Sequence, residues 1–276
     1  MFLRKYIHGL QHQHLRPSSS SLQRAKLSIL PLLFITAATT KLTQIRAMST
    51  TPSSNKPAAI VFLHGLGDTP AGWSSLEHQL PSLQPSLSKA NGVQYVFPPA
   101  PTIPLTINGG MTMPGWFDLY DWPIGVGVRN DEDGLEKAVQ AVEDCVDDLE
   151  KSGVPRNRIV VGGFSQGGAV ALRSAYHSKS KGGYAACVSL SGWVTFGGDD
   201  VSNTSRDVPL FLGHGSQDDK VLFEQQKHAE ITLSEDDKVG VIESKSYRMG
   251  HSSHPQEMAD FANFLNKVLF ETQAPE

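Results

Sequence analysis

Two cysteines in 276 residues are too few for a disulfide scaffold, which excludes a small stapled secreted fold. Cys145 falls on a helical apolar stripe and Cys187 in an apolar run, so both read as reduced core thiols. Excess positive charge is also missing. Lys and Arg number 24 against 28 Asp and Glu, a formal charge of −4, which leaves no footprint for nucleic acid. No uninterrupted apolar run reaches the roughly 18 residues that a spanning helix needs. Acids are missing from the N-terminus, where the first is Asp68. Residues 1–47 hold seven basic side chains, Arg4, Lys5, Arg16, Arg24, Lys26, Lys41 and Arg46, among many Ser and Leu. That composition suits an organelle transit peptide. The apolar run Leu27–Thr40, broken by Pro31, allows a signal-peptide core or membrane anchor instead. A third reading starts the functional protein at Met48. His8, His12 and His14 read as part of a solvated tail.

With 39% hydrophobic and 19% charged residues, the chain as a whole has the composition of a globular protein. Short apolar runs recur at Ala58–Leu63, Val93–Phe97, Arg158–Gly162, Ala186–Leu190, Pro209–Leu212 and Val239–Tyr247. Runs that are apolar throughout suggest strands buried on both faces, as in a parallel sheet. Between them lie helical patterns. Leu135, Ala138, Val139, Val142, Cys145, Val146 and Leu149 share one stripe over 133–150, behind a start rich in acids. Met258, Phe261, Leu265, Val268 and Leu269 share another over 256–270. Alternating strands and helices predict an α/β sheet covered on both faces, in one domain from 48 to 276. The stretch 98–130 follows neither period. It is rich in Pro and Gly yet carries Leu105, Ile107, Met111, Met113, Trp116 and Phe117, so it reads as a long loop packed over a pocket. A loop that merely covers core is the alternative.

Gly163-Phe164-Ser165-Gln166-Gly167 reads G-x-S-x-G, with a strand pattern before it and a helix pattern after it. Strand, sharp turn and helix form a nucleophile elbow, in which small neighbours let the chain reverse. An incidental serine in a glycine-rich turn is the bland alternative. A serine hydroxyl needs a base, and the base needs an orienting carboxylate. In such sheets the order along the chain is serine, acid, histidine. His251 follows the last strand pattern at a loop and is the candidate base, with His254 as its rival. Asp218 and Asp219 both lie just past the strand Pro209–Leu212, and spacing does not choose between them. His64 and His214, each followed by Gly at a strand end, read as structural histidines bonded to loop backbone. Donors for an oxyanion are expected from the backbone N–H of Gln166 and from the His64-Gly65-Leu66-Gly67 loop.

From Ala58 to Phe270 the chain resembles the acyl-protein thioesterase and lysophospholipase group of serine esterases. The resemblance is carried by Leu63-His64-Gly65-Leu66-Gly67-Asp68, Phe97-Pro98 with Ala100-Pro101, and Pro114-Gly115-Trp116-Phe117-Asp118. It continues in Pro155-Arg156-Asn157-Arg158-Ile159, Gly162 to Gly168, His214-Gly215 with Asp218 and Val221, and Gly250-His251-Ser252-Ser253 with Gln256-Glu257-Met258. It implies an α/β-hydrolase fold, with Ser165 as nucleophile, Asp218 as acid and His251 as base. It also implies oxyanion donors at the Leu66 and Gln166 N–H groups. Trp116, Met111, Met113, Leu105 and Leu222 would contact an acyl chain. No metal or organic cofactor is implied. The partners implied are acylated proteins or lysophospholipids, with transient contact at a membrane surface and a monomer or weak homodimer in solution. The catalytic body would be cytoplasmic, or mitochondrial or plastidic where the leader is used. Lys220 and Leu222 stand where relatives commonly have proline, and His254 where they often have cysteine. A short-chain carboxylesterase or deacetylase on the same fold is the second reading, and a non-catalytic binding protein the third.

Overall fold

A computed structural model describes residues 56–235 and 238–271. The leader 1–47 lies outside these residues. The chain opens with β1 (Ala58–Leu63), a single-turn α1 (Pro70–Trp73), α2 (Leu76–Leu83) and β2 (Val93–Val96). A hairpin follows, β3 (Thr102–Leu105) and β4 (Met111–Pro114), and then α3 (Glu132–Lys151). The second half runs β5 (Ile159–Phe164), α4 (Gln166–Tyr176), β6 (Ala186–Leu190), β7 (Leu210–Gly215), α5 (Glu224–Ser234), β8 (Ile242–Tyr247) and α6 (Pro255–Asn266).

Six strands pair in the order β2-β1-β5-β6-β7-β8, all parallel. Period-two alternation divides their side chains between two cores. Ala59, Val61 and Leu63 of β1 join Leu135, Val142 and Val146 of α3 and Ala169 and Leu172 of α4 on one face. Ala58, Ile60 and Phe62 join Leu76 and Leu80 of α2 and Met258, Phe261 and Leu265 of α6 on the other. Both faces of β1, β5, β6 and β7 are therefore dry, which is why their sequences read as unbroken apolar runs. The edge strand β8, Ile-Glu-Ser-Lys-Ser-Tyr, is half-exposed and polar along one side.

Asp131 caps α3 by accepting the Gly134 N–H, and it also accepts the Asp118 N–H, tying the preceding loop to the helix start. The stretch 98–130, read as loop, contains the antiparallel pair β3–β4. Its turn uses Gly109 and Gly110, both left-handed at φ 64° and 83°. The last helix, expected over 256–270, ends at Asn266 and continues as a π-helical turn to Glu271.

From β1 the chain adds β2 on one side, then crosses to place β5 on the other. The strand order reverses there, and the C-terminal ends of β1 and β5 open a crevice where α/β sheets bind ligands.

Candidate active site

Ser165 sits between β5 and α4 with φ 55° and ψ −120°. A positive φ is strained for any residue but glycine and persists only where the surroundings enforce it. Here the Ser165 N–H donates to Leu190 O at 2.8 Å and its carbonyl accepts the Ala169 N–H at 3.0 Å. The flanking glycines are obligatory. A Cβ on Gly163 would lie 2.4 Å from the Gly167 carbonyl carbon, and one on Gly167 would lie 2.3 Å from Leu63 O. Removing side chains at these points lets the elbow touch itself and the end of β1.

Asp218 follows β7, and its carboxylate is wholly buried. Oδ1 accepts the N–H groups of Lys220 and Val221, at 2.9 and 3.0 Å, which fixes the plane of the carboxylate. Oδ2 is left for His251, whose Nδ1 lies 2.7 Å away. The other ring nitrogen, Nε2, lies 2.9 Å from Ser165 Oγ. Phe164 packs against the His251 ring at a centroid distance of 4.7 Å. Burial opposes charge on Asp218, yet the His251 ring and the two N–H donors outweigh it and hold the carboxyl below the usual aspartate range. The neighbouring His214 is pushed down by its own burial, and its Nε2 donates to Val221 O at 2.9 Å. That nitrogen lies 3.6 Å from Asp218 Oδ2, against 2.7 Å for His251 Nδ1, so the short hydrogen bond to this oxygen is the one from His251.

The two open choices resolve by position. Asp219 is exposed and paired with Lys220 Nζ. His254 is the N-cap of α6, where its Nδ1 accepts the Gln256 N–H ahead of Pro255. His64 and His214 bond to loop backbone. Cys187 is buried, and burial raises its pKa above the thiol range. Cys145 is half-buried, with its pKa raised by the same cause.

The loop after β1 lies against the elbow, where a Cβ on Gly65 would come within 3.3 Å of Ser165 Cβ. Among the described residues, neither the Leu66 nor the Gln166 N–H has a hydrogen-bond partner. Gln166 also contributes something that motif reading missed. Its buried amide accepts the Trp116 N–H at 2.8 Å and donates to Phe117 O at 2.7 Å, stitching the loop that follows β4 to the elbow. Trp116 donates its indole N–H to His64 O at 2.8 Å.

The expected acyl contacts separate. Trp116 is 3% exposed and, with Ile103 and Ala138, lines a cavity of about 410 Å³ between the hairpin and α3. Met113 is half-buried, and its Sδ lies 3.6 Å from where a Cβ on Gly67 would sit. Leu222 is half-buried, its N–H donating to Ile124 O. Leu105 is fully buried at the end of β3. Met111 is 64% exposed on β4.

The phospholipase/carboxylesterase family pattern matches residues 47–269. The chain belongs to this family. Within it, acyl-protein thioesterase 1 of Cryptococcus neoformans is 35% identical over 243 residues, spanning 82% of this chain and 99% of that protein. Acyl-protein thioesterase 1 of Saccharomyces cerevisiae is 34% identical over 214 residues, 76% of this chain and 92% of that protein. Among solved structures, Arabidopsis thaliana SOBER1 superposes with a TM-score of 0.68 at 30% identity, covering 77% of this chain and 99% of its own. Zea mays acyl-protein thioesterase 2 gives 0.65 at 30% identity, covering 77% and 94%. The sheet is that of an α/β hydrolase, as the resemblance implied.

Sequence reading also passed over Glu257. It lies three residues after the cap His254, the spacing at which a capping-box glutamate reaches back. Its carboxyl is fully buried, packs near Gly213, and makes no hydrogen bond among the described residues. Burial pushes its pKa up to about 8 and outweighs the opposing pull of the His254 backbone N–H, which lies nearby but outside hydrogen-bond geometry. The folded form therefore holds a proton that the unfolded chain, at an ordinary glutamate pKa, has lost. Between about pH 4.5 and 8 the folded state binds more protons, so stability from this group is fully present below that window and lost as pH rises through it. Glu257→Gln cannot ionise. Its stability is expected to match wild type near pH 5 and to exceed it near pH 9 by on the order of a few kcal/mol, with a higher melting temperature there. Melting curves against pH measure this, and parallel curves for the two proteins would refute it.

Proposed function

We propose that this protein hydrolyses long-chain acyl thioesters and esters, with acylated proteins and lysophospholipids as the substrate class. The observation that carries the reading is one imidazole bridging Ser165 Oγ at 2.9 Å and a buried carboxylate at 2.7 Å. His251 Nε2 takes the Ser165 proton as Oγ attacks the acyl carbonyl, and Asp218 steadies the imidazolium that forms. The N–H groups of Leu66 and Gln166 receive the oxyanion. The thiol or alcohol leaves with the proton from His251. Water, deprotonated by the same ring, then releases the fatty acid.

An apolar leaving or acyl group finds matching surface beside the triad. The acid's loop is bridged to the segment at Ile124, and Trp122, Val126 and Phe223 stand 50%, 49% and 41% exposed around that bridge. Such a patch also suits brief contact with a membrane surface. Among the described residues no helix is long and apolar enough to cross a membrane. We assign the catalytic body to the cytoplasm as a monomer or weak dimer, with delivery to a mitochondrion or plastid where the leader 1–47 is used.

Each buried methylene adds about 0.8 kcal/mol, so kcat/KM is expected to rise with acyl length until the apolar surface is filled. A series of p-nitrophenyl esters from acetate to palmitate measures it. A profile that is highest at acetate supports the short-chain esterase instead. A fluorophosphonate that labels wild type but not Ser165→Ala separates either enzyme from a binding protein.

A further inference from the structure

His64 is 1% exposed, lies at the end of β1, and takes no part in the proton relay. Both its ring nitrogens are nevertheless engaged. Nε2 lies 3.1 Å from the Ala100 backbone nitrogen and accepts its N–H, so Nε2 bears no proton. The ring proton is then on Nδ1, which lies 2.8 Å from Gly65 O and donates to it. That carbonyl belongs to the same planar peptide as the Leu66 N–H, and the two point in opposite directions. To hold the carbonyl is therefore to aim the N–H.

The neighbouring bonds supply the frame. The Asp68 N–H reaches the same Gly65 O at 3.2 Å, and the Gly67 N–H donates to Pro114 O at 2.7 Å. The Trp116 indole holds the His64 carbonyl, and the Gln166 side chain holds Trp116 and Phe117 to the elbow. The loop is thus clamped on both sides of the Gly65–Leu66 peptide, whose N–H has no partner among the described residues. Only a neutral histidine offers a buried donor and a buried acceptor at opposite ends of one rigid ring.

We propose that His64 is a positioning residue for hydrolysis: its imidazole, fixed as the Nδ1–H tautomer by Ala100, locks the Gly65–Leu66 peptide so that the Leu66 N–H faces the oxyanion. The inference rests on the serine-hydrolase reading above and adds a residue to it.

Two substitutions divide the ring's duties. In His64→Asn the amide nitrogen stands near the place of Nδ1 and keeps a donor for Gly65 O. In His64→Gln the amide oxygen stands near the place of Nε2 and keeps only the acceptor for Ala100. Loss of an oxyanion donor lowers kcat by about 10²–10³-fold, and misaiming one is expected to cost roughly 10–10²-fold in His64→Gln. KM and the affinity for decanoate, a ground-state ligand, stay within about twofold, because the effect appears only in the transition state. Affinity for an alkyl trifluoromethyl ketone, which forms a tetrahedral oxyanion on Ser165, falls with kcat. His64→Asn keeps most of both.

Equal losses in the two variants, or a loss shared by KM and decanoate binding, overturn the proposal. So does an unchanged kcat in His64→Gln while Ser165→Ala is inactive. A fully active Ser165→Ala would instead overturn the underlying hydrolase reading. Nitrogen NMR of the wild-type ring gives an outcome independent of any variant's folding: the Nδ1–H tautomer is required, and an Nε2–H tautomer refutes the role.

Discussion

A Ser165→Ala enzyme is expected to lose roughly 10⁴–10⁶-fold in kcat on a long-chain thioester while folding as well as wild type. The size of the loss follows from what the hydroxyl does. Without Oγ there is no acyl-enzyme, and His251 at 2.9 Å has no proton to remove except from water. The proposed Leu66 and Gln166 N–H donors would still polarise the carbonyl, and the proposed acyl contacts would still bind substrate, which leaves a residual rate above that in water. Stability is a separate matter. The elbow is held by backbone bonds, Ser165 N–H to Leu190 O and Ala169 N–H to Ser165 O, and by the close approach of Gly163 and Gly167. The hydroxyl takes no part in these, and its side chain does not cap α4. Alanine meets the same positive φ at a similar steric cost. The expected result is an unchanged or slightly raised melting temperature with turnover gone. A variant that keeps wild-type kcat would place the chemistry elsewhere.

Legibility in the sequence followed physical uniformity. The four inner strands are dry on both faces, so their apolar runs stood out, and the order serine, acid, histidine follows from the sheet's strand ends. Ser165 and His251 were readable because a strained elbow demands glycines and because the last strand pattern stops just before the histidine. Choosing Asp218 over Asp219 from the residues alone was not possible: both lie past β7, and only the turn that binds Lys220 and Val221 N–H to Asp218 Oδ1 turns one inward. The hairpin β3–β4 was hidden because Pro104 and Pro114 break any strand propensity and the pair stands apart from the main sheet. Its Asn108-Gly109-Gly110 turn was the signal available. Strand β8 starts at Ile242 rather than Val239 because the Val239 and Gly240 N–H groups are taken by Leu233 and Arg206 carbonyls. The bonds made by Gln166, Trp116 and His64 side chains are long-range and leave no period or motif to read.

Asp218→Asn isolates the acid's contribution more sharply than deletion, because the surrounding bonds dictate how the amide must sit. Two backbone N–H groups point at the Oδ1 position, so the asparagine oxygen has to occupy it. The NH₂ group is then forced into the Oδ2 position, 2.7 Å from His251 Nδ1, and as a donor it requires Nδ1 to accept. The ring proton moves to Nε2, where it points at Ser165 Oγ. A base with its proton already facing the nucleophile cannot receive another, and kcat is expected to fall by about 10⁴-fold with KM little changed. The loop keeps its turn, so the melting temperature stays near wild type. Asp218→Ala behaves differently: it strands the Lys220 and Val221 N–H groups, the latter buried, and is expected to cost a further 1–3 kcal/mol or so of stability. Steady-state kinetics with thermal melts of both variants measure the two effects, and nitrogen NMR of His251 reports the tautomer directly. An asparagine variant that retains the Nδ1–H tautomer or loses less than about tenfold in kcat would show that the carboxylate does not orient the base.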